Sequence, residues 1–183
     1  KQILDVACGG GLLTEALFKK GGLVSGIDIS DVAIHTAKNH AASANIDINY
    51  VLGEAEELLP ENKERFDVVT CLEAIEHVPD PNQLVKTCSN LCKKDGDIFF
   101  STINRNPKSF LFAIVGAEYI LNLLPKGTHE YEKFIKPSEL TTMMENNGLV
   151  VKELTGMSYN PLTKNYWLGK NVDVNYLIHA KKI

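Results

Sequence analysis

The stretch Ile3-Leu4-Asp5-Val6-Ala7-Cys8-Gly9-Gly10-Gly11-Leu12-Leu13-Thr14 decides how this chain is read. A short apolar run ends in three glycines and passes straight into a helical pattern, which reads as strand, tight turn and helix. Glycines at such a junction let the backbone take positive φ and come close to a ligand, and the free N–H groups of the helix start face the same space. The pattern points to a nucleotide-like ligand. Further on, a second apolar run, Leu23-Val24-Ser25-Gly26-Ile27, ends in Asp28, where a strand-end carboxylate is placed to accept both hydroxyls of a ribose.

Outward from this pair, the chain alternates strands and helices. Leu12 to Lys20 places Leu13, Ala16 and Leu17 on one helical face and ends at Gly21-Gly22. Ser30 caps a second helix running to about Ala44, with Val32, Ala33, Ala37 and Ala41 at helical spacing. Asp47 to Leu52 reads as a third strand, followed by an acidic loop or short helical turn, Gly53 to Pro60, positioned to wall the ligand's base. Arg65 to Leu72 is nearly all apolar, the pattern of a strand buried on both faces beside the first. A helix from about Asn82 to Cys92 closes at Lys93-Lys94-Asp95-Gly96, and Asp97 to Thr102 is the fifth strand. This order predicts an α/β doubly wound sheet with its ligands at the carboxyl ends of the strands.

The alternation breaks at Asn104-Arg105-Asn106-Pro107-Lys108. Beyond it, Ser109 to Leu124 is apolar on nearly all sides, yet too short, and with Glu118 and Asn122 too polar, to cross a bilayer, which needs about 20 residues. It reads as a helical insertion, within about residues 105–135, that covers something. Regular structure resumes with a helix from Pro137 to Asn147-Gly148. Strands Leu149 to Leu154 and Val172 to Ala180 then finish the sheet, the last one antiparallel, with an irregular Met157 to Gly169 between them.

With 183 residues, 44% hydrophobic and 23% charged, the chain fits one domain, 1–183. It starts at Lys1, two residues before a strand, so it reads as the later part of a longer protein. A net charge of -4 gives no electrostatic footprint for nucleic acid. Cys8, Cys71, Cys88 and Cys92 contain no C-x-x-C pair and read as buried free thiols.

Two features separate the nucleotide-like ligands. A dinucleotide enzyme wants G-x-G-x-x-G, but the sixth position from Gly9 is Thr14. Asp5, just before the turn, suits a cationic ligand better than a pyrophosphate, and S-adenosylmethionine carries a sulfonium and an ammonium group. Glu73-Ala74-Ile75-Glu76-His77 follows the fourth strand. On a turn or short helix, positions 73, 76 and 77 share a face, which suits a divalent cation. The alternatives are solvated carboxylates with a packed histidine, or His77 alone as general base. Lys126-Gly127-Thr128-His129 closes the insertion and is either a surface loop or a substrate contact, with His129 as a further catalytic candidate. His35, His40 and His179 read as structural or surface residues, and Tyr159, Tyr166 and Trp167 as packing.

Taken together, these runs resemble class I S-adenosylmethionine-dependent methyltransferases, and more narrowly the ubiquinone biosynthesis O-methyltransferase family of bacteria and mitochondria. LDVACGGGLLTE resembles that family's first motif, SGIDIS its ribose-binding strand end, and FDVVTCLEAIEHVPDP its fourth-strand motif. FFSTINRNPKSF, VGAEYIL, PKGTHEYEKFIKP, YNP and VDVNY resemble its later signatures. Two departures stand out: Ala7 where the family has glycine, and Lys94-Asp95-Gly96 where Pro-Gly-Gly is usual.

The resemblance implies a Rossmann-like, seven-stranded, mostly parallel sheet with an antiparallel last strand and helices on both faces. It implies S-adenosylmethionine held by Asp5 and the Ala7 to Gly11 turn, Gly9 and Gly11 included, by Asp28 and Ile29, by Glu54 and Ala55 near the adenine, and by Leu72. It also implies a divalent cation, magnesium by preference, on Glu73, Glu76 and His77. The substrate would be a polyprenylated catechol or quinol; the apolar surface of about Phe110 to Leu124 is then expected to touch the inner membrane, on the bacterial cytoplasmic or mitochondrial matrix face, or to guide the polyprenyl tail, the alternative being a lid packed on the domain or a dimer contact. Other ubiquinone-biosynthesis proteins are further expected partners. Competing readings are a metal-independent methyltransferase of another small molecule and a non-catalytic S-adenosylmethionine-binding protein.

Overall fold

The computed structural model describes residues 1–109, 131–160, 163 and 165–183. Its eight strands are β1 (Gln2–Val6), β2 (Leu23–Asp28), β3 (Asn49–Leu52), β4 (Phe66–Leu72), β5 (Cys92–Ile103), β6 (Leu149–Asn160), β7 (Asn165–Gly169) and β8 (Asn175–Lys182). They form one sheet in the order β3-β2-β1-β4-β5-β8-β6-β7. Pairing is parallel from β3 through β5, and β8 lies antiparallel between β5 and β6. Helices α1 (Leu12–Lys19), α2 (Asp31–Ser43), α3 (Leu59–Asn62), α4 (Pro81–Leu91), α5 (Pro107–Ser109) and α6 (Pro137–Asn146) connect and cover it. The strand order reverses at β1, so the crevice between the carboxyl ends of β1 and β4 is the place where open α/β sheets bind ligands.

The predicted class of fold is present, with one strand more than expected. The supposedly irregular Met157 to Gly169 is largely a hairpin, in which β6 runs on to Asn160 and β7 returns with Met157 opposite Leu168 and Ser158 opposite Trp167. Tyr166, Trp167 and Leu168 are all exposed. Neither face therefore carries the inside–outside alternation that marks a strand in sequence, and Tyr166 and Trp167 are not the core packing they were read as. β5 also begins earlier than predicted. Phe66 pairs Cys92, the register then shifts to Val68 opposite Asp97, and Asp95 takes φ 60° to absorb the extra residues, so a bulge stands where a turn was read.

Central strands supply Leu4, Val6, Val69, Cys71, Ile98, Phe100 and Ile178 to one apolar cluster with Leu84, Val85, Cys88 and Leu91 of α4 and Leu140 and Met144 of α6. A smaller cluster joins Cys8, Ile34, Ala37, Ala41 and Tyr50. All four cysteines are free and buried. Two helix faces differ from the periodicity. In α1, Thr14 and Glu15 are buried while Ala16 is exposed, because Thr14 bonds Asp5 and Glu15 bonds His40 at 2.6 Å. In α2, Ile34 is buried and Val32 exposed. Among the described residues, no helix is long and apolar enough to cross a membrane. Phe110 to Leu124 and Lys126 to His129, with their expected roles, lie outside the described residues.

Candidate active site

β1 ends at Val6 and the chain turns through three residues with left-handed backbone: Ala7 (φ 55°), Gly9 (φ 53°) and Gly11 (φ 81°). The glycines serve different needs. A side chain at Gly11, the N-cap of α1, would run into the Tyr50 ring, so glycine there admits the residue packed beneath. At Gly9 a methyl group would meet nothing within 4 Å; its requirement is the backbone angle alone. Ala7 accepts the same angle with a β-carbon, at a cost on the order of 1 kcal/mol.

The carboxylate of Asp28 ties this turn to β2. Its Oδ2 accepts the Gly9 N–H at 2.8 Å and its Oδ1 the Ser30 N–H at 2.8 Å. Each carboxylate oxygen has a second lone pair, which leaves acceptor capacity at the cavity wall that Asp28 forms. Asp5 is placed differently from the expectation of a ligand contact. It is buried, takes no part in the cavity wall, and accepts the Thr14 and Thr70 hydroxyls at 2.7 Å each. Burial raises its pKa, the two hydroxyls oppose that shift, and nearby Asp28 adds to it. Asp5 thus fastens α1 and β4 to β1 beneath the turn.

A cavity of about 530 Å³ opens at this edge. Its wall brings together Ala7, Asp28, Ile29, Glu54, Ala55, Glu73 and His77 from the sequence-predicted set, while Gly9, Gly11, Leu72 and Glu76 stand outside it. Sequence reading missed the wall opposite the glycine turn: Ala74, Val78, Pro79, Asp80, Gln83 and Leu84. The signal was Pro79-Asp80-Pro81, since Asp80 caps α4 by accepting the Gln83 N–H at 3.0 Å and so carries that helix start to the cavity.

Glu73 to His77 forms a turn, closed by the His77 N–H donating to the Ala74 carbonyl at 2.9 Å. Glu73 and His77 line the cavity. Glu76 instead turns inward with Ile75 and is 3% exposed. The predicted common face is therefore absent, because this turn carries Glu76 inward with Ile75 and away from the cavity wall; among the described residues no three His, Cys, Asp or Glu side chains gather as a metal site. Neither carboxylate oxygen of Glu76 has a hydrogen-bond partner, and neither has the adjacent Thr102 hydroxyl. Burial and the neighbouring Glu73 charge push the Glu76 pKa up to about 7, with its own backbone and Thr102 pulling weakly the other way.

Residues 4–100 match the family model described as a methyltransferase domain. The S-adenosylmethionine-dependent methyltransferase structure from Methanosarcina mazei superposes with a TM-score of 0.74 at 20% identity, covering 100% of this chain and 92% of that one. The magnesium protoporphyrin IX methyltransferase of Synechocystis, determined with bound S-adenosylhomocysteine, gives 0.70 at 18% identity over 100% of this chain and 74% of that one. Fold and glycine turn define a class I S-adenosylmethionine-dependent methyltransferase. The ubiquinone biosynthesis O-methyltransferase of Saccharophagus degradans is 54% identical, covering 100% of this chain and 78% of that protein. The one from Marinobacter nauticus is 55% identical over 99% of this chain and 77% of its own length. The chain belongs to the ubiquinone biosynthesis O-methyltransferase family.

Proposed function

We propose that this chain carries the methyl group of S-adenosylmethionine to a ring hydroxyl of a polyprenylated catechol or demethylubiquinol. O-methylation from this donor in ubiquinone biosynthesis follows from the family; the acceptor and the residues that handle it are our reading. The observation that carries it is the pair Glu73 and Glu76 in the turn after β4, one on the cavity wall and one buried without a hydrogen-bond partner.

Asp28 accepts the ribose hydroxyls with its remaining lone pairs, the Ala7 to Gly11 turn holds the methionine portion, and Glu54 and Ala55 flank the adenine. The acceptor ring enters beside Glu73 and His77. A catechol hydroxyl attacks the sulfonium methyl only as its oxyanion, so a proton must leave; without a bound cation the His77 imidazole on the cavity wall takes it, whereas with a cation on Glu73, Glu76 and His77 the lowered hydroxyl pKa replaces that base. The phenolate oxygen forms the bond to the methyl carbon as the carbon–sulfur bond breaks, leaving neutral S-adenosylhomocysteine; the wall contributes by holding the two reactants at attack distance.

The donor set also suits a divalent cation in kind. A buried carboxylate without a hydrogen-bond partner, with a second carboxylate close by, lacks positive charge. Glu73, Glu76 and His77 do not gather as a metal site in this structure and would have to converge to hold magnesium; such an ion would favour the phenolate over the phenol. The test is turnover of a short-tailed prenylated catechol after chelation and after magnesium is restored. Turnover is expected to fall at least tenfold on chelation and to return with magnesium, with binding of S-adenosylhomocysteine unchanged. Near-normal rates without metal would remove the ion from the reading. Membrane contact through Phe110 to Leu124 belongs to the same proposal; flotation with anionic liposomes is expected to weaken on replacing Phe110 and Phe112 with Ser.

A further inference from the structure

We propose that Ser101 is a positioning residue for the acceptor side of the site, acting through Glu73. Glu73 adopts φ 53°, a left-handed conformation that costs a residue with a β-carbon on the order of 1 kcal/mol and persists only where its surroundings impose it. Ser101 of β5 imposes it. Leu72, the last residue of β4, pairs Ser101 in the parallel register, and the next N–H, that of Glu73, donates to both the Ser101 carbonyl and the Ser101 hydroxyl oxygen, each at 3.0 Å. The same hydroxyl donates its proton to Glu73 Oε1 at 2.6 Å. One buried side chain, 4% exposed, thus grips the backbone and the carboxylate of a single residue at once.

Such a double grip is more than strand pairing requires, since the backbone contact alone continues the β4–β5 ladder. Its consequence is a fixed carboxylate: Glu73 cannot rotate away from the cavity without giving up a short, charge-assisted hydrogen bond. Thr102, the next residue of β5, lies beside Glu76 and lowers its pKa, though the two make no hydrogen bond of good geometry. Consecutive hydroxyls on β5 therefore stand against the two carboxylates of the turn, Ser101 locking the one on the cavity wall. A locked acceptor-side carboxylate loses no orientational freedom when the substrate arrives.

This proposal rests on the reading that Glu73 serves the acceptor. Its test compares Ser101→Ala, Ser101→Thr, Glu73→Ala and the double variant S101A/E73A, in magnesium buffer with the short-tailed prenylated catechol. The readouts are kcat, acceptor KM, calorimetric binding of S-adenosylhomocysteine and thermal melting. Ser101→Ala is expected to lower kcat about tenfold or more, with S-adenosylhomocysteine affinity within twofold of the parent, and Ser101→Thr to recover most of the loss. In the Glu73→Ala background the Ser101→Ala change is expected to cost nothing further, as coupled residues require. A wild-type kcat for Ser101→Ala beside an inactive Glu73→Ala overturns the role of Ser101 and leaves Glu73 standing. Full turnover by Glu73→Ala overturns the reading of Glu73, and the proposal with it. Equal losses from Ser101→Ala with and without Glu73, or methyl-donor binding that falls in step, mean a merely structural serine. Should Ser101→Ala not fold, Ser101→Cys keeps the size but donates weakly, and the same comparisons apply.

Discussion

The two edges of this sheet treat carboxylates in opposite ways. At the amino edge, Asp97 receives His179 Nε2 at 2.9 Å, Lys181 at 3.1 Å and Lys1 at 3.2 Å. Asp67 accepts the Gln2 N–H and the Lys93 ammonium at 2.6 and 2.7 Å. At the carboxyl edge, Glu76 is buried with neither oxygen partnered and a second carboxylate close by. Burial pushes Asp97 upward, but its hydrogen bonds from His179, Lys181 and Lys1 outweigh that and leave it at about 2, whereas Glu76 is held up at about 7. One edge spends its charges on cohesion. The other keeps a charge unsatisfied in the folded chain, which is the state of a group reserved for something that binds.

Replacing Glu76 tests that contrast with the largest effect. Glu76→Gln is expected to lower kcat by about a hundredfold, with little change in S-adenosylhomocysteine binding. The folded protein gains nothing from the ionised group: its folded pKa lies above the ordinary value of 4.5, so its favourable contribution is complete below that value and is lost as pH rises through about 7. In metal-free buffer at pH 8 the variant is therefore expected to melt above the parent, and at pH 4 the difference should close. A variant that melts lower at pH 8 would show that Glu76 is a structural carboxylate.

Asp97→Asn tests the other edge, with activity expected to stay at the parental level. Two ammonium groups and the His179 ring lose their shared acceptor, and Asp97 is 16% exposed, so the expected loss is about 1–2 kcal/mol, or roughly 3–6 °C in melting temperature. The sign is reversed here. A carboxyl whose folded pKa is lowered stabilises above its ordinary value and loses that contribution as pH falls through about 2. The gap between parent and variant should accordingly be full at pH 6 and shrink from pH 4 downward; a gap that stays constant with pH would mean lost packing, with charge playing no part.

What could be read ahead of the structure follows how far apart the interacting residues lie. The glycine turn, Asp28 and the β–α alternation are local patterns, and they stand where they were expected. Asp5 was assigned a ligand because the partners that occupy it, Thr14 and Thr70, only become visible once β1 lies beside β4. The inward turn of Glu76 escaped for a related reason, since spacing along a turn or short helix does not tell which side chain the surrounding fold draws into its interior. Ser101 escaped because its contact with Glu73 spans the β4–β5 pairing, and a serine in a strand carries no signal of its own. The β6–β7 hairpin left no trace because Tyr166, Trp167 and Leu168 of β7 all stay exposed.

The smallest expected effect lies between the two edges in kind, at a residue where ligand space and backbone strain meet. Ala7 lines the cavity at φ 55°, where glycine would rest without cost. Ala7→Gly removes that strain but adds chain entropy to the unfolded state, so the net gain is expected to be small, about 0.5 kcal/mol. It also removes a methyl group from the wall nearest the glycine turn. If that methyl narrows the approach of the donor, affinity for S-adenosylhomocysteine should tighten, by about fivefold at most. Calorimetry separates this from the alternative, in which the methyl is itself a contact: affinity would then weaken while the melting temperature still rose. An increase in both would place Ala7 with Glu76 as a position where the carboxyl edge gives up stability, though at Ala7 the binding site would gain nothing in return.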